Sequence, residues 1–324
     1  MTQSGPGRRE AAPRVRAVVL NWNGGRHVLD AVDALRRTDW PPDRLDVVVV
    51  DNASSDGSDD ALAARGDVEL RRSPTNAGFP ANNVGLADLD GVDYVALVNN
   101  DAFVEPGWLA PLVDALEDDA GVGAACPKLV FAPRFVELAV RAPRHPAPGD
   151  PRELALRVSG VEVAGVDRWR HSWFGPGCHG QEAGGRGEER FRWLAPEARL
   201  GLPLWDGAQA PVAGRVRLAA PQPVTVAVRW AGGETSVDVG PVPRWVEVCV
   251  AGEPFDVVQN AGSLLLEGGW GADRGFLQRD DGRFDEPVDV WAWCGGGVLL
   301  RPAYLADVGL FDERFFLYYE DTDL

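Results

Sequence analysis

The chain has 324 residues, 45% of them hydrophobic and 25% charged, enough for two domains or one decorated domain around a sizeable core. Its 49 acidic and 32 basic residues leave a formal charge of −17, which excludes a phosphate-tracking nucleic-acid binder and a polybasic membrane anchor. No run of about 18 apolar residues occurs, so no segment reads as a membrane-spanning helix.

Lys128 is the only lysine, and with the abundant Ala, Gly and Pro this points to a GC-rich bacterial genome. Cys126, Cys178, Cys249 and Cys294 are far apart and lack metal-ligand spacing; they read as reduced, mostly buried thiols of a cytosolic protein. Residues 1–14 are polar and rich in Pro and Gly, without the apolar stretch of a signal peptide, and are expected to form a frayed tail.

From Val15 to about Leu129 apolar strands alternate with amphipathic helices. Val15–Leu20 reads as a strand, followed by a helix with Val28, Val32 and Leu35 on one face. Leu45–Val50 is a continuous apolar run ending at Asp51, the pattern of a strand buried on both faces. Ser58 is expected to cap a short helix reaching Arg65, Val68–Leu70 to begin another strand, and Tyr94–Val98 to form one ending at Asn99. Such alternation implies a mainly parallel, Rossmann-like α/β sheet, in which ligands bind beyond the carboxyl ends of the strands.

Near Phe131 the character changes. Pro133, Pro143, Pro146, Pro148 and Pro151 suggest a linker, and short alternating strands follow at Val224–Trp230 and Trp245–Val250, with others near Leu154–Val163 and Arg215–Leu218. This reads as an all-β sandwich inserted in one catalytic domain, with α/β character returning through Gln259-Asn260-Ala261-Gly262. The expected divisions are a tail at 1–14, a nucleotide-sugar half at 15–131, the sandwich at 132–255 and an acceptor-side half at 256–324.

Six motifs punctuate the α/β segments. Asn21-Trp22-Asn23-Gly24-Gly25 and Asp51-Asn52-Ala53-Ser54-Ser55-Asp56-Gly57 follow the first two long strands. A carboxylate at a strand end can accept hydrogen bonds from a pyrimidine N–H or a ribose hydroxyl, and the small polar residues after it permit a tight turn. In Asn76-Ala77-Gly78-Phe79-Pro80-Ala81-Asn82-Asn83, Gly78 allows close backbone approach, and the asparagines offer uncharged donors and acceptors to ribose and diphosphate oxygens. Asn99-Asn100-Asp101 places a carboxylate at a strand end, where a hard divalent ion can be held. Trp291-Ala292-Trp293-Cys294-Gly295-Gly296-Gly297 offers a backbone ledge flanked by two tryptophans, and Phe315-Phe316-Leu317-Tyr318-Tyr319-Glu320-Asp321-Thr322-Asp323 joins an aromatic run to an acidic cluster. No Walker lysine motif is present, and Gly121-Val122-Gly123 lacks the third glycine of a dinucleotide loop.

Together, in this order, the motifs resemble those of the inverting, nucleotide-sugar-dependent glycosyltransferases of family 2, over about residues 15–131 and 256–324. The resemblance implies a GT-A type fold, a nucleotide-diphosphate sugar donor, a glycan or lipid-linked glycan acceptor, a divalent cation (Mg2+ or Mn2+) and single-displacement inversion. It implies donor contacts at Asn21, Asp51, Asn52, Asn76, Gly78, Asn83, Asn99 and Asn100, a metal contact at Asp101, and acceptor contacts at Trp293, Gly295 and Gly296. Asp321 takes the place of the general base and Glu320 that of an orienting carboxylate, each raising the other's pKa. The wording leans towards the rhamnosyltransferase-like branch, hence hexosyl transfer in bacterial surface polysaccharide synthesis. The expected location is the cytoplasm, including the inner face of the cell membrane.

Two features depart from the family pattern: the large insert, and the end of the chain at the acidic motif, which reads as a truncation. The alternative is therefore a catalytically inactive fragment that binds glycans through its sandwich. The insert is rich in aromatics, which at alternating strand positions are usually core; His171-Ser172-Trp173-Phe174-Gly175 and Cys178-His179-Gly180-Gln181-Glu182 are read as loops that reach a ligand.

Overall fold

The computed structural model describes residues 11–183, 190–205 and 211–324, so residues 1–10 of the expected tail lie outside the described residues. The chain divides into two compact units: residues 1–129, 260–274 and 287–324 form the first, and residues 130–259 and 275–286 the second.

The first unit is built on a mixed, mostly parallel sheet. Strands β1 (Val15–Asn21), β2 (Leu45–Asp51), β3 (Glu69–Arg72), β4 (Tyr94–Asn99) and β5 (Ala124–Ala125) alternate with helices α1 (Gly25–Arg36), α2 (Ser58–Ala63), α3 (Asn82–Leu86) and α4 (Leu109–Asp118). The sheet order is β3-β2-β1-β4, parallel throughout, continued by the strand Gly297–Leu300, which is antiparallel to both its neighbours, and then by β5, which again runs with β4. Apolar residues point from both faces of β1 because both faces are covered. Val15, Ala17 and Val19 pack with Val28, Val32 and Leu35 of α1 and with Leu109 and Leu116 of α4. Val18 packs on the opposite side with Leu86, Val298, Leu300 and Leu305, the last from α5 (Pro302–Val308). With helices on both faces, the parallel strands send their carboxyl ends to one edge, where the polar motifs begin.

Ser58 does not cap α2. The N-cap is Gly57, and Ser58 is the first helical residue, its backbone N–H (3.0 Å) and hydroxyl (2.6 Å) both donating to Asp56 Oδ1. A carboxylate just outside the helix thus satisfies one of the free N–H groups at its start.

The second unit consists of two antiparallel sheets around one core. One contains Trp173–Phe174, Glu197–Leu204, Arg134–Arg141, Val224–Trp230 and Gly233–Val239, and the other Cys178–Ala183, Arg190–Leu194, Leu156–Val163, Val212–Ala219 and Arg244–Val250. Val136, Leu138 and Val140 from the first sheet and Val158, Val216, Val246 and Val248 from the second share one apolar cluster. This period-2 alternation is what a sandwich core requires. The expected fold class, a mainly parallel Rossmann-like α/β sheet with an all-β insertion, is the one observed. Two local expectations fail here. The segment read as a proline-rich linker contains the eight-residue strand Arg134–Arg141. Trp173 is buried against Phe255, its indole N–H donating to the Leu277 carbonyl at 2.7 Å, and Cys178–Ala183 is a strand, so neither stretch is a free loop.

Candidate active site

Three of the predicted motifs start where β1, β2 and β4 end, and their side chains hold one another. Asn21, fully buried, directs its Nδ2 at Asp51 Oδ1 (3.0 Å), Ser54 Oγ (3.1 Å) and Ser58 Oγ (2.9 Å). Its Oδ1 accepts the Gly24 N–H at 3.2 Å. Gly24 must be small: a Cβ there would lie 2.5 Å from Asn21 Oδ1 and 2.7 Å from Asn100 Nδ2, so the same glycine brings Asn100 to the β1 end. Asp51 is buried and its second oxygen accepts the Ser54 N–H at 3.2 Å. Buried polar groups are stable only when paired, and this network pairs them. Ser54 and Ser58 belong to it although sequence reasoning gave them no site role; the run of small polar residues after Asp51 was the available signal.

Asn52 clamps the next motif. Its Nδ2 donates to Asn76 Oδ1 (2.8 Å) and to the Gly78 carbonyl (3.0 Å), while its Oδ1 accepts the Ala77 N–H at 2.9 Å. Gly78 has φ +71°, and a Cβ would meet the Phe316 carbonyl oxygen at 1.9 Å; that carbonyl accepts the Phe79 N–H at 2.9 Å. A left-handed glycine is therefore required because the 316–321 segment docks directly on this loop. Asn83 helps to seat the same segment, donating to the Phe311 carbonyl (2.8 Å) and accepting the Phe311 N–H (3.1 Å). Both ends of its amide are engaged by one backbone residue, which makes it a brace for the terminal segment.

The glycine ledge closes the circuit. Gly295 donates its N–H to Asp321 Oδ2 at 2.9 Å, and the Gly296 carbonyl accepts the Asn99 N–H at 3.3 Å. Asp321 thus connects, through two adjacent residues of one loop, to the strand end that carries Asn100 and Asp101. Glu320 is buried, and its Oε2 has no hydrogen-bond partner among the described residues. Burial pushes its carboxyl above the usual range, with the neighbouring charge of Asp321 adding to the effect. Trp293 is a core residue packed 6.2 Å from Phe311, ring centroid to ring centroid; Trp291 is the tryptophan that presents its ring to solvent.

Asp101 is exposed, with no hydrogen bond or ion pair to its carboxylate among the described residues. Also among the described residues, no group of three His, Cys, Asp or Glu side chains is placed to hold a metal ion. The residues present supply one carboxylate, so they fit a divalent ion that arrives with its remaining oxygen ligands on a diphosphate, and they do not fit a permanent all-protein site.

The solved structures to which this chain is similar include the Pyrobaculum calidifontis mannosyltransferase PcManGT with GDP-Man and Mn2+, at 29% identity over 38% of this chain and 39% of that one, with a TM-score of 0.32. The S. aureus TarS fragment 1–349 in complex with UDP is similar at 20% identity over 38% of this chain and 40% of that one, TM-score 0.31. Each match covers less than two thirds of the other protein's length. No curated protein matches. Residues 17–152 match the family model described as glycosyl transferase family 2, a span that contains the ends of β1, β2 and β4 and the Asn52–Gly78 clamp.

Proposed function

We propose that this protein is an inverting glycosyltransferase that moves a hexosyl group from a nucleotide-diphosphate donor to a glycan or lipid-linked glycan in bacterial surface polysaccharide synthesis. The observation that carries the reading is the connection of Asp321, through Gly295 and Gly296, to the β4 end at Asn99. A candidate base and a candidate diphosphate-binding carboxylate are thereby tied to one loop, the arrangement a single displacement needs.

In this reading the acceptor hydroxyl gives its proton to the Asp321 carboxylate as its oxygen attacks the anomeric carbon; the bond from that carbon to the phosphate oxygen breaks and the nucleoside diphosphate leaves. The Gly295 N–H aims the Asp321 carboxylate, and the burial of Glu320 leaves Asp321 as the member of the pair open to an acceptor. The β1 and β2 ends, held by Asn21, Asp51 and Asn52, shape the nucleoside side. Asp101 would hold a divalent cation together with the donor, and such a cation neutralises charge on the departing diphosphate. The work is assigned to the cytoplasm, with peripheral contact at the inner face of the membrane when the acceptor is lipid-linked.

Calorimetric titration with UDP, dTDP and GDP, each with and without Mn2+, tests the reading. One nucleotide should bind in a metal-dependent way, Asp101→Ala should lose the metal-dependent part, and Asp321→Asn should keep binding while losing transfer. Full transfer by Asp321→Asn would remove Asp321 as the base, and no binding of any nucleotide would remove the donor site.

A further inference from the structure

Beside the glycine ledge the first unit carries a hairpin of two strands, Ser263–Leu266 and Trp270–Asp273. Its base is tied to the segment that runs into the ledge. The Ser263 N–H donates to the Ala292 carbonyl at 2.8 Å, and the Trp291 N–H donates to the Ser263 carbonyl at 3.2 Å. Gly295, further along that segment, holds the candidate base Asp321. The hairpin register sets Ser263 opposite Asp273 and Leu265 opposite Gly271, so alternation turns these positions to one face.

That face meets the acidic segment. A Cβ on Gly271 would stand 3.6 Å from Tyr319 Cε1, so the tyrosine ring, about half exposed, lies against bare backbone there. Asp273 is the next position of the same strand on this face, about 7 Å along, and it is exposed. Its Oδ1 accepts an N–H from the amide of fully buried Asn260 at 2.7 Å, and Asn260 Oδ1 accepts the Gly262 N–H at 2.6 Å. The carboxylate is thereby fixed, while its second oxygen has no partner among the described residues. Burial pushes the Cys294 thiol up to about 11, and the charges of Asp321 and Asp273 add to this, so both carboxylates lie around one residue of the ledge. Tyr318 and Tyr319 hold φ of +73° and +66°, left-handed values that strain a residue with a side chain. Across this turn the chain passes from the exposed Tyr319 ring to buried Glu320 and to Asp321 on the Gly295 N–H.

An aromatic ring placed between two carboxylates is selective. The ring offers an apolar surface to the C–H face of a sugar. Ionised carboxylates only accept hydrogen bonds, so they take hydroxyl hydrogens and repel an anion. We propose that this face of the hairpin is the acceptor wall and that the accepting unit is an uncharged sugar. Its ring lies on Tyr319, one hydroxyl is held by Asp273, and the reacting hydroxyl meets Asp321. The assignment rests on the glycosyltransferase reading and narrows its acceptor to a neutral glycan residue.

The test is saturation-transfer NMR of the full chain with Mn2+ and UDP, dTDP or GDP. The probes are the methyl glycosides of glucose, galactose, mannose, rhamnose and N-acetylglucosamine, and those of glucuronic and galacturonic acid. At least one neutral glycoside should bind about tenfold or more tightly than either uronide. Asp273→Asn, which keeps the shape and removes the charge, should cut that preference by about threefold or more. Tyr319→Ala should weaken the neutral glycoside by about threefold or more, and Tyr319→Phe should restore it. All three variants should keep the wild-type thermal midpoint and nucleotide affinity. A nucleotide bound with no neutral glycoside overturns the wall and leaves the transferase reading standing; binding of neither removes both. A uronide bound as tightly as the neutral glycosides overturns the charge selection. Wild-type behaviour of both Asp273→Asn and Tyr319→Ala overturns the wall.

Discussion

In the sandwich unit the buried side chains are apolar throughout the described residues, whereas the α/β unit buries Asn21, Asp51, Asn52, Ser58, Asn82 and Glu320 beside its valines and leucines. The difference follows from what each core is for. Two sheets whose inner faces are mainly Val and Leu gain the most from excluding water and need no polar specificity. A parallel sheet with a site at its strand ends must hold polar loops still, and it does so by sinking amide and carboxylate groups into a mutually bonded network. Stability in one region and positioning in the other are thus carried by different chemistry, and substitutions should separate them.

The largest effect should be catalytic and confined to the α/β unit. Asp321→Asn keeps an acceptor for the Gly295 N–H but removes the proposed base, so turnover in a sugar-transfer assay should fall by about 10²–10⁴-fold with no change in thermal midpoint. In the sandwich, Leu200→Ala empties a fully buried position. It should cost about 2–5 kcal/mol in urea unfolding while leaving nucleotide binding intact. Asn21→Ala should lie between these behaviours. Stranding the Asp51, Ser54 and Ser58 oxygens should cost about 1–3 kcal/mol, and nucleotide affinity should fall with it because the strand-end turn loosens.

The smallest effect is a pH dependence. The Glu320 carboxyl is raised above its ordinary value of 4.5 by burial, so the folded state holds its proton more tightly than the unfolded state does. Its contribution to stability is complete below pH 4.5 and is lost as pH rises through the folded-state value. Glu320→Gln should therefore flatten the pH dependence of the urea midpoint above that point and raise stability at neutral pH. An unchanged profile would show that Glu320 is solvated in solution, and the contrast between the units would weaken.

Much of the α/β unit was legible in the sequence because its strands are continuous apolar runs that end on a polar residue. Leu45–Asp51 and Tyr94–Asn99 are read directly from that pattern, and Val28, Val32 and Leu35 mark the buried face of α1 by helical spacing. The strands Val224–Trp230 and Arg244–Val250 are equally plain from period-2 alternation. These are local signals, set by which side chains must leave water.

What a side chain does at the site was not local. Asn83 reads as a nucleotide contact, yet it braces Phe311, 228 residues away. Trp293 reads as a wall for an acceptor, yet Phe311 and the neighbouring strand bury it. The demand for glycine at position 78 comes from the Phe316 carbonyl, which no local pattern announces. Fold class, strand ends and the residue types gathered at them were all written in the linear order of side chains, because burial and turn chemistry act over a few neighbouring residues. Which polar groups are spent on holding distant segments, as Asn83 is, and which stay exposed, as Asp101 does, was settled only in three dimensions, because hydrogen-bond partners are assigned by where the chain returns.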